Sequence, residues 1–174
     1  MRFIKTTALA ASCLAFSAAA LGQDMAVPEA VRVPAGHSVA MTSVGAGDLT
    51  YECRAKAGDA MAFEWAFVGP MAKLTDPKTG TEVGKYYGGP TWEAMDGSKV
   101  TGKQVAVAPA AAGNIPLQLV KAEPAMGNGA MMGVTYIQRV NTRGGTAPAE
   151  ACNQAMSGQK KTVPYQADYV FYKM

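Results

Sequence analysis

The sequence predicts an all-β protein: a single-domain β-sandwich, or a closed or partly open β-barrel, of roughly eight to ten short strands with at most one short helix. Three observations predict it. Short runs rich in aromatic and β-branched residues alternate with breaks, most densely from Phe63 to Gly102, where Gly69-Pro70, Asp76-Pro77, Gly89-Pro90 and Asp96-Gly97 punctuate the chain. Several of these runs alternate apolar and polar residues at period two, the signature of a strand with one face toward a core. No long crossover helix is visible between them, which argues against a doubly wound parallel sheet. No internal repeat supports a trefoil or a propeller.

The elements follow in order. Arg2 and Lys5 precede an apolar run from Ala8 to Ala20, and Ala20-Leu21-Gly22 supplies the small residues of a cleavage site before Gln23. Residues 1–22 therefore read as a Sec-type signal peptide, too short to stay in a bilayer as a permanent helix. Cys13 lies inside that run, but the position three before it is Ala10 rather than Leu, so removal of the whole leader is preferred to lipoprotein processing. Residues 23–36, rich in Pro and Ala, form an extended arm, and residues 37–174 form one β domain.

Strand signals begin at Ser38. Leu49, Tyr51 and Cys53 share one face of a strand, and Met61, Phe63, Trp65 and Phe67 share one face of the next. Met71 to Thr75 runs into a turn at Asp76 to Gly80, and Lys85-Tyr86-Tyr87 is followed by the break Gly88-Gly89-Pro90. Thr91 to Glu93, Lys99 to Val107, Ile115 to Val120 and Val134 to Val140 continue the series. Thr142 to Gly145 reads as a turn, and Ala149 to Met156 as two turns of helix around Cys152. Tyr165, Ala167, Tyr169 and Phe171 alternate as a closing strand.

Charge narrows the partners. The chain carries 16 Lys and Arg against 13 Asp and Glu, and loss of the leader removes two of the basic residues. A nearly neutral mature chain has no basic stripe for nucleic acid, and Lys160-Lys161 reads as a solvated loop pair. The mature chain has no transmembrane segment. Its two cysteines, Cys53 and Cys152, lack metal-ligand spacing and read as a disulfide in an exported protein, periplasmic or extracellular.

Seven blocks, in order, carry a family resemblance. They are GAGDLTYEC from Gly45 to Cys53, Gly69-Pro70 with Ala72 and Leu74, GPTW from Gly89 to Trp92, Asp96-Gly97-Ser98, VTYIQRVNT from Val134 to Thr142, Gly144-Gly145 with Ala147-Pro148 and Cys152, and VPYQADYVFY from Val163 to Tyr172. From about Val27 to Tyr172 the chain resembles the domain of unknown function 3455 (DUF3455) family, which implies an exported protein and no particular activity. Tyr86 and Leu117 depart from the family pattern, which often has His and Trp there. A dehydrogenase label on some fungal relatives is not transferred, because no Gly-x-Gly-x-x-Gly follows a strand here.

No catalytic, cofactor or metal signature stands out. The aromatic cluster Tyr86, Tyr87 and Trp92 around Gly88-Gly89-Pro90 is the leading candidate for binding a small ligand, a glycan or a protein partner, since rings beside glycines can stack on an approaching group. The competing reading places Trp92 and one tyrosine in the core. Two alternatives are a glycan- or ester-hydrolysing enzyme using Glu93 and Asp96, and a periplasmic copper binder using thioether sulfur from Met126, Met131 and Met132. His37 is the single histidine, too few imidazoles for a His-based zinc or iron site. Ser98 lies in an Asp-Gly-Ser turn, not a nucleophile elbow.

Overall fold

The computed structural model describes residues 27–174. The leader, its cleavage point and Cys13 fall outside the described residues. Eight antiparallel strands close a barrel: β1 Ser38–Lys56, β2 Asp59–Thr75, β3 Glu82–Tyr87, β4 Thr91–Ala94, β5 Lys99–Ala108, β6 Leu117–Ala122, β7 Val134–Gly144 and β8 Lys160–Lys173. Each strand pairs with its neighbour in sequence, and β8 returns to pair with β1. The expected all-β class holds, and closure decides barrel over sandwich.

The first two strands are not short: β1 has 19 residues and β2 has 17. Glycines lie inside β1 where the barrel needs close approach. A Cβ on Gly45 would come within 2.5 Å of the Tyr169 ring, and one on Gly47 within 2.1 Å of the Met71 carbonyl oxygen. Pro70 is also inside β2, at the point where β2 has no partner on its other side beyond the Met71–Tyr87 pair. There its missing N–H costs no ladder bond.

Three smaller expectations are corrected. Residues 142–144 do not turn but continue β7. The expected helix at 149–156 is a single 3-10 turn, Gln154–Met156. Lys160 and Lys161 begin β8 instead of a loop, with Lys160 3.8 Å from Glu52 and Lys161 paired to Glu150.

The interior is packed with side chains. Trp92, Tyr169, Phe171, Leu74, Met131, Ile137 and Val100 are fully buried, and Tyr86 stacks on Trp92 at 4.7 Å with Tyr169 tilted against Tyr86 at 5.1 Å. Offset aromatic contacts of this kind add about 0.5–1.5 kcal/mol beyond the area they bury. The arm preceding β1 lies on the outer wall: Val31 packs on Ala108 and Leu119, and Gln138 Nε2 donates to its carbonyl at 2.6 Å. Cys53 and Cys152 form the expected disulfide across 99 residues of sequence, with Cα atoms 5.5 Å apart. Closing so long a loop removes about 4–5 kcal/mol of unfolded-chain entropy at most.

Among the described residues no helix is long and apolar enough to cross a membrane.

Candidate functional site

Strand length makes the site. β3 pairs with β2 only from Met71 to Thr75, and β4 pairs with β5 only through Thr91, Trp92 and Glu93. Both neighbours run further in the same direction: β2 back to Asp59, and β5 on to Ala108. Above the β3–β4 turn the wall is therefore missing, and a notch opens between the unpaired edges of β2 and β5. The turn forms its sill. Gly89 adopts φ 93°, a conformation glycine reaches without strain, and a Cβ on exposed Gly88 would meet nothing within 4 Å.

The β1–β2 hairpin reaches past the notch, since β1 pairs with β8 only as far as Glu52–Lys160. The disulfide ties its stem to the loop before β8. Trp65 Nε1 donates to the Glu150 carbonyl at 2.9 Å, and Phe67, half exposed, sets its ring edge-on to Tyr51 at 5.7 Å.

Facing the interior at this end is Arg139. It is in register with Tyr169 on one side and Gln118 on the other, and it follows Ile137 by two residues. Tyr169 and Ile137 are fully buried in the core, so the alternation of the strand directs Arg139 inward as well. Its Nε and Nη2 donate to the Pro116 carbonyl at 3.2 and 2.9 Å. Among the described residues no carboxylate lies within ion-pair distance of it.

Four tyrosines feel that charge. Burial pushes the Tyr86 phenol up to about 12, and Arg139 partly opposes the rise. Burial likewise raises Tyr51, Tyr165 and Tyr169, again against the pull of Arg139. The hydroxyls of Tyr165 and Tyr169 are 3.1 Å apart, and Tyr51 donates to the Gly145 carbonyl at 2.7 Å. Gln118 donates to Gln104 at 2.5 Å nearby. The notched end thus combines a guanidinium, four buried phenols kept neutral, two amides and the half-exposed Phe67 ring. A planar guanidinium with free donors suits a carboxylate or phosphate, while the rings suit an apolar body.

The residues singled out from sequence do not come together as an open stacking platform. Tyr86 is 5% exposed and Trp92 1%. They are cross-strand partners whose register aims both inward, where their bulk fills the barrel. The Trp92 indole N–H has no partner there. Tyr87 points the other way and donates to the Glu93 carboxylate at 2.6 Å. The Tyr86 phenol feels the charge of Arg139, and the Tyr87 phenol does not.

The carboxylate pair does not suit sugar hydrolysis. Hydrogen bonds from Tyr87 and Lys85 hold Glu93 below the usual carboxylate range, and those from Ser98 and the Ala130 N–H do the same for Asp96. Both stay ionised, whereas the reaction needs one acid kept protonated. Ser98 is buried between the Asp96 carboxylate, at 2.6 Å, and the Met131 N–H, at 3.1 Å. Met131 is withdrawn into the core while Met126 and Met132 remain exposed, so the three thioethers offer no shared face to copper. His37 Nδ1 is 3.1 Å from the Pro34 carbonyl, with its ring edge-on to Tyr136. Among the described residues no three His, Cys, Asp or Glu groups converge as a metal site.

Arg139, Tyr51, Tyr165 and Tyr169 were not singled out as site residues. One signal was legible: in Val134 to Val140 the charge of Arg139 shares the parity of Ile137, an ionised group on an inward face.

The family model described as "Protein of unknown function (DUF3455)" matches residues 34–173, which spans the whole barrel. No curated protein and no solved structure matches the chain.

Proposed function

Starting from a chain that belongs to the DUF3455 family, we propose an exported, non-catalytic protein that binds a small ligand at the notched mouth of its barrel. The ligand carries an anionic group for Arg139 and an apolar or aromatic body for Phe67 and the rim. One observation carries this reading: Arg139 faces the barrel interior with no carboxylate in ion-pair reach among the described residues. Barrel mouths are common ligand sites, and an inward guanidinium without an acidic partner is suited to supply one strong charge-assisted bond. Export rests on the leader in the sequence, and the disulfide is compatible with an oxidising compartment.

The test is a thermal-shift and native mass spectrometry screen of the mature chain against fatty acids and aromatic carboxylates, each paired with its neutral amide or alcohol. Acids should bind and their neutral analogues should not. Arg139→Gln should weaken binding by about tenfold to a hundredfold, the worth of a hydrogen bond to a charged group. Arg139→Lys should recover part of the loss, since a point charge replaces a planar fork. Equal binding of acid and amide, or unchanged affinity in a folded Arg139→Gln variant, would end the proposal.

A further inference from the structure

On the outer wall, β7 and β8 form a second concavity that the mouth does not use. It encloses about 310 Å³ and is lined by Asn114, Asn141, Thr142, Arg143, Gln166 and Asp168. A bulge creates it. Val140 pairs with Asp168 and Arg143 with Gln166, so Asn141 and Thr142 together stand opposite one residue of β8. Asn141 takes φ 50°, making it the one non-glycine residue with positive φ among those described. Asparagine tolerates this conformation better than most residues, and bulges re-aim side chains.

The re-aimed groups are held in place. Asn141 Nδ2 donates to Asp168 Oδ2 at 2.7 Å, which leaves Oδ1 of that carboxylate as a fixed acceptor. Asn114 Oδ1 accepts from the Gly144 N–H at 2.7 Å, so its NH₂ remains a donor. Buried Thr142 donates to the Ile115 carbonyl at 2.7 Å and anchors the floor. Arg143, exposed at the edge, has no carboxylate in ion-pair reach among the described residues.

We propose that this cleft is a binding subsite for a neutral saccharide. All six lining side chains are polar, which disfavours an apolar ligand. One cation and one anion cancel, so a charged ligand gains no net attraction. A fixed acceptor, Asp168 Oδ1, and a fixed donor, the Asn114 amide, line the same cleft, and the hydroxyls of a sugar ring, each both donor and acceptor, can answer both. The volume is at the small end of the ligand-pocket range of about 300–1,000 Å³, suited to a single ring.

The experiment follows backbone amide NMR spectra of the mature chain during titration with methyl β-glucoside, methyl α-mannoside and N-acetylglucosamine, and separately with glycine betaine. At least one saccharide should give saturable shifts confined to residues 141–144 and 166–168, with the tyrosine-lined mouth unmoved. Asp168→Asn and Arg143→Gln should each weaken that binding at least tenfold while the Trp92 and Tyr169 signals stay native. Silence to all three saccharides, binding of betaine in their place, or shifts that survive Arg143→Gln would overturn the proposal.

Discussion

One end of the barrel is filled from the loop between β6 and β7; at the other the β3–β4 hairpin stops below the strands beside it. The filled end is closed by the loop between β6 and β7. Met131 plugs the core from that loop beside Val134 at the start of β7, and Asp96 in the β4–β5 turn accepts from the Ser98 N–H, the Ser98 hydroxyl and the Ala130 N–H. A Cβ on Gly129 would strike the Asp96 carboxylate at 2.2 Å, so a larger residue there would displace the carboxylate that ties the loop down. At the notched end Ile115 of the β5–β6 loop also packs into the core, but β3 and β4 stop short while β1, β2 and β5 continue. Turn residues acting on neighbouring loops close a barrel. A mismatch in strand length lowers one part of its wall.

The largest expected effect tests whether the sill of the notch is structural. Trp92→Ala removes a fully buried side chain that stacks on Tyr86, and should cost about 3–5 kcal/mol in urea unfolding. Tyr87→Phe, on the outer face of the same hairpin, should leave the unfolding midpoint nearly unchanged. Equal costs for the two would mean that the inward and outward faces of this hairpin are misassigned.

Removing the disulfide comes next. Cys53→Ser with Cys152→Ser should lose about 2–5 kcal/mol. Hydrogen exchange should rise more in the overhanging hairpin, residues 53–67, than in the loop carrying Met131. A uniform rise would show that the open end is no more dependent on its staple than the filled end.

Alkaline titration sharpens the comparison from within. The Tyr86 phenol is raised to about 12 and Tyr169 well above its ordinary value, both by burial. Their neutral forms are favoured in the folded chain, so the stability they contribute is whole below about pH 10, the unfolded value. It is lost as the pH climbs toward 12, because the unfolded state releases its protons first. Absorbance at 295 nm should show these phenols ionising together with unfolding; early, reversible ionisation of all the tyrosines would mean that they are solvated.

The smallest effect is at the filled end. Hydrogen bonds from Ser98 and Ala130 hold the Asp96 carboxyl below its ordinary value, so the folded state binds this proton less readily than the unfolded one. Its contribution is whole above about pH 4 and fades as the pH falls further. Asp96→Asn should be modestly less stable than the parent at neutral pH, and the gap should close in acid. A gap that persists in acid would assign the loss to shape rather than charge.

Much of the barrel was legible because alternation is a local property. Tyr165, Ala167, Tyr169 and Phe171 announce an inward face, and all four are buried. The site was less so. Tyr86, Tyr87 and Trp92 are adjacent in sequence, but whether a ring stacks in the core or on the surface depends on register, and register is set by pairing with distant strands. The bulge at Asn141 and Thr142 was hidden for the same reason: the extra residue exists only relative to β8, and the sequence there reads equally well as a turn.

The sequence alone determined an all-β domain and the pairing of Cys53 with Cys152, since short periodic runs and two cysteines beyond the leader need no knowledge of neighbours. Tertiary structure decided that the sheet closes, that β3 and β4 fall short of their neighbours, and that Arg139 meets four tyrosines from three other strands. Those outcomes depend on which distant strands share hydrogen bonds and at what offset, a quantity set by the packing of the whole barrel and carried by no single segment.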